Sequence, residues 1–154
     1  MRIENSTLCY IIKDGQWLML NRNKKNNDIN AGKWIGVGGH FEEGESPHDC
    51  LLREVKEETG LTLTGCSFRG IVTFIFDEDE TEYMHLFTSD SFTGTLHDCD
   101  EGELKWIRKE DIDSLNLWEG DRLFMPRLIA GENDIFMKLT YKGDRLVDVK
   151  ENLS

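Results

Sequence analysis

The stretch from Gly39 to Leu61, GHFEEGESPHDCLLREVKEETGL, constrains the chain more than any other. It opens on glycine, crosses an acidic loop and then carries the marks of a helix. Ser46 is placed to cap it, Pro47 stands at the first helical position, and Asp49 falls in the first turn. Gly60 stands where a helix C-cap is expected. Leu51, Leu52, Val55 and the aliphatic part of Thr59 are predicted to point inward. On the other side Glu54, Glu57 and Glu58, at i, i+3 and i+4, share one face.

Like charges at that spacing weaken an isolated helix by a few tenths of a kcal/mol. Two arrangements offset the repulsion: a solvated acidic face, or a hard divalent cation held by oxygen ligands. Acid clustering alone leaves both open, and the spacing adds a sharper signal. Gly39, Glu45, Arg53, Glu54, Val55, Glu57, Glu58, Gly60 and Leu61 reproduce a pattern: Gly, five residues, Glu, seven residues, Arg-Glu-aliphatic-x-Glu-Glu-x-Gly-aliphatic. This pattern resembles the signature of the Nudix hydrolases at every fixed position. Fixed identities at average residue usage match by chance on the order of 10⁻⁸ per starting position.

At 154 residues the chain suits one domain with a proper core. A net charge of −12 opposes a broad electrostatic grip on a nucleic acid polymer. A free nucleotide carrying Mg²⁺ is compatible, because the metal screens both partners. Cys9, Cys50, Cys66 and Cys99 form no C-x-x-C pair, and Cys9 and Cys50 lie in apolar surroundings as small core residues. Disulfides are not expected, which points to a reducing cytoplasm. The polar start MRIENSTLCYIIKDG does not suit a signal peptide, and no apolar run reaches membrane-spanning length, so no membrane partner is expected. The sequence leaves room for a homodimer without specifying one.

Thr7 to Lys13 and Gln16 to Asn21 read as strands joined at Asp14-Gly15, a favoured hairpin pair. Asn23 to Lys33 reads as a polar loop whose Lys24, Lys25 and Lys33 either meet substrate phosphates or are merely solvated. Trp34 to Val37 reads as a short buried strand delivering Gly38-Gly39 to a turn that permits close backbone approach. Leu61 to Leu63 with a loop, then Gly70 to Phe76, an acidic tip at Asp77 to Glu80, and Glu82 to Ser89 follow. Glu103 to Ile107 is a further strand, Glu110 to Leu115 a helical turn, and Arg122 to Ala130 a second helix. Pro126 is expected to kink that helix or reset its start. Ile135 to Tyr141 and Arg145 to Val149 read as a closing hairpin. The resemblance implies an α/β class fold, a Nudix-type α/β/α sandwich with a mixed β-sheet flanked by helices.

Carried over residue by residue, the resemblance implies that Glu54, Glu57 and Glu58 are metal ligands, with Gly38 offering a backbone carbonyl. Arg53 would fix a neighbouring carboxylate and Glu45 would hold the loop or supplement the site. The expected cofactor is Mg²⁺, with Mn²⁺ as a substitute. Such a site neutralises a pyrophosphate and lowers the pKa of a bound water. One of these glutamates or a downstream acid would serve as general base. LMLNRNKK, GKWIGVGGHFEEGES, DCDEGELKWI and LWEGDRLFMPRLI extend the similarity to MutT-like enzymes that clear oxidised purine nucleoside triphosphates, a form of DNA repair.

In that comparison Glu101 falls where a further acid faces the metals, though it is also simply a charge in an acidic loop. Trp118 and Asp121 resemble the aromatic and the acid that hold the base in mammalian relatives; Trp118 also suits plain core packing. Gly39 and Lys33 complete the expected substrate contacts. Ile35 stands where those relatives carry a base-reading Asn, Gly120 replaces one acid of a pair, and His40 replaces a Lys. An apolar Ile lacks the paired donor and acceptor of Asn, so base recognition must differ. His48, His85 and His97 assemble no nucleophilic triad.

The resulting expectation is a Mg²⁺-dependent pyrophosphohydrolase converting 8-oxo-dGTP to 8-oxo-dGMP and pyrophosphate. ADP-ribose, a dinucleoside polyphosphate or another nucleoside diphosphate conjugate is the alternative substrate. A non-catalytic nucleotide-binding domain is the third reading, opposed by the intact acidic constellation.

Overall fold

A computed structural model describes residues 2–23 and 32–151. Lys24 and Lys25 lie outside the described residues. Nine strands, two α-helices and a 3-10 turn are seen among them. The strands are β1 (Arg2–Lys13), β2 (Gln16–Asn21), β3 (Trp34–Ile35), β4 (Val37–His40), β5 (Thr62–Phe76), β6 (Glu80–Thr93), β7 (Glu103–Arg108), β8 (Ile135–Lys142) and β9 (Arg145–Glu151). The helices are α1 (Pro47–Thr59) and α2 (Asp121–Ile129), and the 3-10 turn is Lys109–Ser114.

The sheet runs β3-β2-β1-β6-β5-β8-β9, with β4 on β1 and β7 on β2. It is mixed: β1 runs parallel to β6 and β5 parallel to β8, while the remaining pairs are antiparallel. β1 and β2 pair at Ile12–Trp17 and Lys13–Gln16, beside the Asp14-Gly15 turn. Further back along β1, Ser6 to Cys9 pair with β4 instead.

Side-chain alternation divides the core into two layers. Leu8, Tyr10, Trp17 and Met19 pack with Phe124, Met125 and Leu128 of α2. Their neighbours Cys9, Ile11, Leu18 and Leu20 pack with Leu51 and Val55 of α1. The helices therefore cover opposite faces, giving the expected α/β/α sandwich. Every residue from Leu18 to Leu20 is fully buried, so an apolar run replaces alternation on a two-sided strand.

Helix α1 starts and stops as its sequence predicts. The Ser46 hydroxyl accepts from the Asp49 amide at 3.1 Å, and the Asp49 carboxylate accepts from the Ser46 amide at 3.0 Å. This reciprocal cap satisfies two otherwise orphaned donors. Gly60 adopts a left-handed φ of 82° at the C-cap. Leu52, however, is 46% exposed and does not face inward. The buried stripe is Leu51, Val55 and Glu58, spaced i, i+4, i+7. Position 52 lies about a third of a turn away, and the stripe closes on a carboxylate where a leucine was expected.

Other boundaries differ from expectation for identifiable reasons. β5 is one strand from Thr62 to Phe76, with register shifts at Leu63/Gly65, Gly65/Ser67 and Phe68/Gly70 carrying it through the polar segment expected to be a loop. The Trp34 to Val37 strand is two: Trp34–Ile35 pairs with β2 and Val37–His40 with β1. Gly38-Gly39 accordingly lie within a strand and not in a turn. Pro126 sits inside α2, whose start at Asp121 it does not reset. All four cysteines are free thiols, with Cys66 the exposed one. Among the described residues no helix is long and apolar enough to cross a membrane.

Truncating the neighbouring leucines separates the buried stripe from the expected one. Leu51→Ala should cost about 2–5 kcal/mol by urea unfolding, and Leu52→Ala less than about 1 kcal/mol. Comparable losses would contradict the orientation of α1.

Candidate active site

The glycines of β4 lie under α1. A Cβ on Gly38 would come 2.0 Å from the Thr7 carbonyl oxygen, and one on Gly39 2.6 Å from Oε1 of Glu54. Only glycine lets the strand pass this close to both β1 and the helix. The Glu54 carboxylate thus rests directly on backbone, where a side chain would otherwise stand.

Glu58 lies one turn further on, facing inward and 6% exposed. Its Oε1 accepts the Gly38 amide at 2.8 Å, while Oε2 is buried with no hydrogen-bond partner. Burial, then the Glu101 charge, push its carboxyl up to about 9, against a lowering by the Gly38 amide. The structure thus shows Gly38 meeting a carboxylate through its amide.

Arg53 ties the loop to the helix. Its Nε and Nη2 donate to Glu45 at 2.7 and 2.9 Å, a bidentate fork. Nη1 donates to Glu54 at 2.7 Å and to Glu57 at 3.3 Å, and Nη2 reaches the His40 carbonyl at 3.1 Å. The Arg53 hydrogen bonds, helped by the Glu42 amide, hold the Glu45 carboxyl down at about 2. The three helix carboxylates expected to form one set are therefore distinct: Glu58 buried, Glu54 against Gly39, Glu57 exposed on Arg53.

A cleft of about 750 Å³ opens over this region. Gly38, Gly39, Arg53, Glu54 and Glu101 line it, with Ile35, Trp118 and Asp121 in the same cavity. Arg22 forms an ion pair with Glu101 at 3.3 Å. Asp121 is buried, and desolvation raises its carboxyl to about 7, opposed by the Lys33 charge. Lys33 Nζ lies 5.3 Å from the Trp118 ring centroid, a cation–π contact. This puts Lys33 beside Trp118 and near Asp121. His40 faces Glu82 at 3.4 Å, which raises its pKa.

Phe74, Phe76 and Tyr141 also line the cleft, and sequence reasoning missed all three. Phe74 and Phe76 stack at 5.7 Å, Phe76 and Tyr141 at 5.8 Å, and Tyr141 meets Trp118 edge-on at 5.4 Å. Phenylalanines two apart in IVTFIF were a signal for a shared face. Tyr141 joins them because Phe76 pairs with it across the parallel β5–β8 contact, which leaves no local trace. His48, His85 and His97 pack on Phe87, the Ser6 carbonyl and the Asp98 carbonyl respectively, away from any nucleophile arrangement.

Among the described residues no three His, Cys, Asp or Glu side chains converge tightly enough to enclose an ion. The donor set nevertheless suits a hard cation. It consists of carboxylate oxygens, and the unpartnered Oε2 of Glu58 is buried under the repulsion of Glu101 and Glu54.

The NUDIX domain family matches residues 3–128. The chain belongs to the Nudix family. The Nudix hydrolase YvcI of Bacillus subtilis (strain 168) is 30% identical over 144 residues, covering 90% of this chain and 87% of that protein. The oxidized purine nucleoside triphosphate hydrolase of Danio rerio is 31% identical over 124 residues, covering 80% and 78%. The crystal structure of the mutator MutT protein from Bacillus halodurans superposes with a TM-score of 0.87 at 25% identity, covering 97% of each chain. The protein is thus a Nudix hydrolase of the MutT-like group, and Glu54, Glu57 and Glu58 lie on its Nudix helix, α1.

Glu58 should set a pH dependence of stability. The native carboxyl keeps its proton to about 9 against a reference near 4.5, so the native state binds more protons between those values. With chelator present, the melting temperature of the Nudix hydrolase should fall as pH rises across that window. Glu58→Gln should flatten the fall, and parallel curves would contradict the burial of this carboxyl.

Proposed function

We propose that this Nudix hydrolase is a divalent-cation-dependent pyrophosphohydrolase of nucleoside triphosphates that acts on oxidised purines such as 8-oxo-dGTP. The products are 8-oxo-dGMP and pyrophosphate. The observation that carries this reading is the shared cleft: Glu54 of the signature helix and Glu101 line one cavity with Trp118, Phe74, Phe76 and Asp121. The printed names of the Danio rerio and Mus musculus relatives, both oxidized purine nucleoside triphosphate hydrolases, support the substrate class.

Glu54, Glu57, Glu58 and Glu101 would hold the cation, Mg²⁺ by its preference for carboxylate, water and phosphate oxygen, or Mn²⁺ as substitute. When bound, such an ion neutralises the pyrophosphate and lowers the pKa of a water for in-line attack. The chain supplies the rest. Arg53 fixes Glu54 against Gly39 and anchors the Glu45 loop, so the carboxylates are oriented before substrate arrives. Glu58 lies deepest and Glu57 outermost. Trp118 offers an aromatic surface for the purine, and Asp121 a carboxyl for its polar edge. Lys33 covers Trp118, and Ile35 adds an apolar wall, in line with the expectation that base recognition differs at that position.

Glu54→Gln and Glu57→Gln should each lower turnover of 8-oxo-dGTP with Mg²⁺ by roughly a hundredfold or more. Circular dichroism of exposed Glu57→Gln should match the parent. Full turnover by both variants would reject the assignment. A product assay across 8-oxo-dGTP, dGTP and ADP-ribose decides the substrate: pyrophosphate with a monophosphate supports the proposal, whereas AMP with ribose phosphate as the main products rejects it.

A further inference from the structure

Gly120 is the N-cap of α2, beside Asp121. The reason for glycine here is tertiary. A Cβ at 120 would lie 2.6 Å from the Tyr141 hydroxyl oxygen and 2.6 Å from Leu139 Cδ1. The phenol therefore fills the space that a side chain at 120 would need. The Gly120 amide donates to that hydroxyl oxygen at 2.7 Å.

This bond fixes what the phenol can still do. A tyrosine hydroxyl carries one donor and accepts through its lone pairs. Here the oxygen accepts from Gly120, and no acceptor among the described residues takes the hydroxyl proton. The ring is held on two sides, stacked on Phe76 and edge-on to Trp118, and Tyr141 borders the cleft with only 1% of its surface exposed, so its hydroxyl is fixed in position. Burial raises the phenol pKa, opposed by the Gly120 bond and reinforced by the Asp121 charge, so the group keeps its proton.

We propose that the Tyr141 hydroxyl is a base-reading donor, giving its proton to a carbonyl oxygen on the edge of an oxopurine. It occupies the space that a side chain at position 120 would need. Asp121 then supplies the neighbouring acceptor for a ring N–H. The pair matches a base edge that presents a carbonyl beside N–H groups, as guanine does. The inference rests on the triphosphate-hydrolase reading of this cleft and names the contact that selects the base.

Tyr141→Phe keeps the ring and removes only the hydroxyl. Its kcat/KM for dGTP should drop roughly five- to tenfold, mainly through KM. The value for dATP, which presents an amino group in place of the carbonyl, should change less than about threefold. An abasic deoxyribose triphosphate should be turned over equally by both proteins. The dGTP to dATP ratio is independent of the folded fraction, so instability from the unpaired Gly120 amide does not disturb it. An equal loss on all three substrates, or no loss on dGTP, overturns the proposal. If the parent protein turns over none of them, the triphosphate reading itself has failed. Calorimetric affinities for GMP, AMP and ribose 5-phosphate, measured with chelator, then carry the same comparison: a loss confined to GMP supports a base-reading hydroxyl, and unchanged GMP affinity overturns it.

Discussion

The contact between α1 and the glycines of β4 sets the geometry of the site. Carboxylates seldom lie this close to backbone, since a buried one without partners costs several kcal/mol. Here Gly38 gives its amide to Glu58, and Gly39 gives Glu54 the space of an absent side chain. Leu51 and Val55 hold the helix down so that neither carboxylate can swing out without exposing core. Arg53 locks the other side, using its guanidinium on Glu45, Glu54, Glu57 and the His40 carbonyl. What remains unpaired is a buried oxygen of Glu58, a local cost that a bound cation would relieve.

β1 pairs with β2 at one end and with β4 further back, and β4 carries the glycines on which the acids rest. β2 leaves β1 after two pairings and turns away to β7 and β3. β4 takes over the vacated edge. The cleft is lined from β1, β3, β4, β5 and β6 together with Glu54, Glu101, Trp118, Asp121 and Tyr141, so its two groups of side chains come from strands and helices far apart in sequence. Asp121 and Glu58 are both carboxyls raised by burial, yet their surroundings differ. Lys33 lies near the first, and further acids surround the second. One environment suits holding a neutral or partly ionised group against a base; the other suits a dication.

Much of this was legible in the sequence, in the places where local chemistry decides the outcome. Ser46, Pro47, Asp49 and Gly60 bound α1 because caps act within one turn. Asp14-Gly15 marked its hairpin for the same reason. The spacing from Gly39 to Leu61 identified the acids and the arginine that orders them. Leu52 was misplaced because Glu58 occupies part of the buried stripe, which a hydrophobic pattern cannot anticipate. β5 ran longer than its apolar segment because β6 supplies a partner along its whole length and register shifts absorb the polar residues.

The sequence alone determined the helix that carries the acids, the glycines that must lie under it, and the family to which the chain belongs. Those follow from interactions within about twenty residues. The tertiary structure decided how unequal the acids are, with Glu58 buried, Glu54 on backbone and Glu57 exposed. It also decided the company that Trp118 and Asp121 keep. Gly120 read as a loss when seen in sequence, as an acid replaced by nothing. The fold brings Tyr141 into that space from a strand twenty-one residues away. Only the pairing of β5 with β8 and the packing of α2 against them could reveal it, because register between distant strands leaves no local pattern.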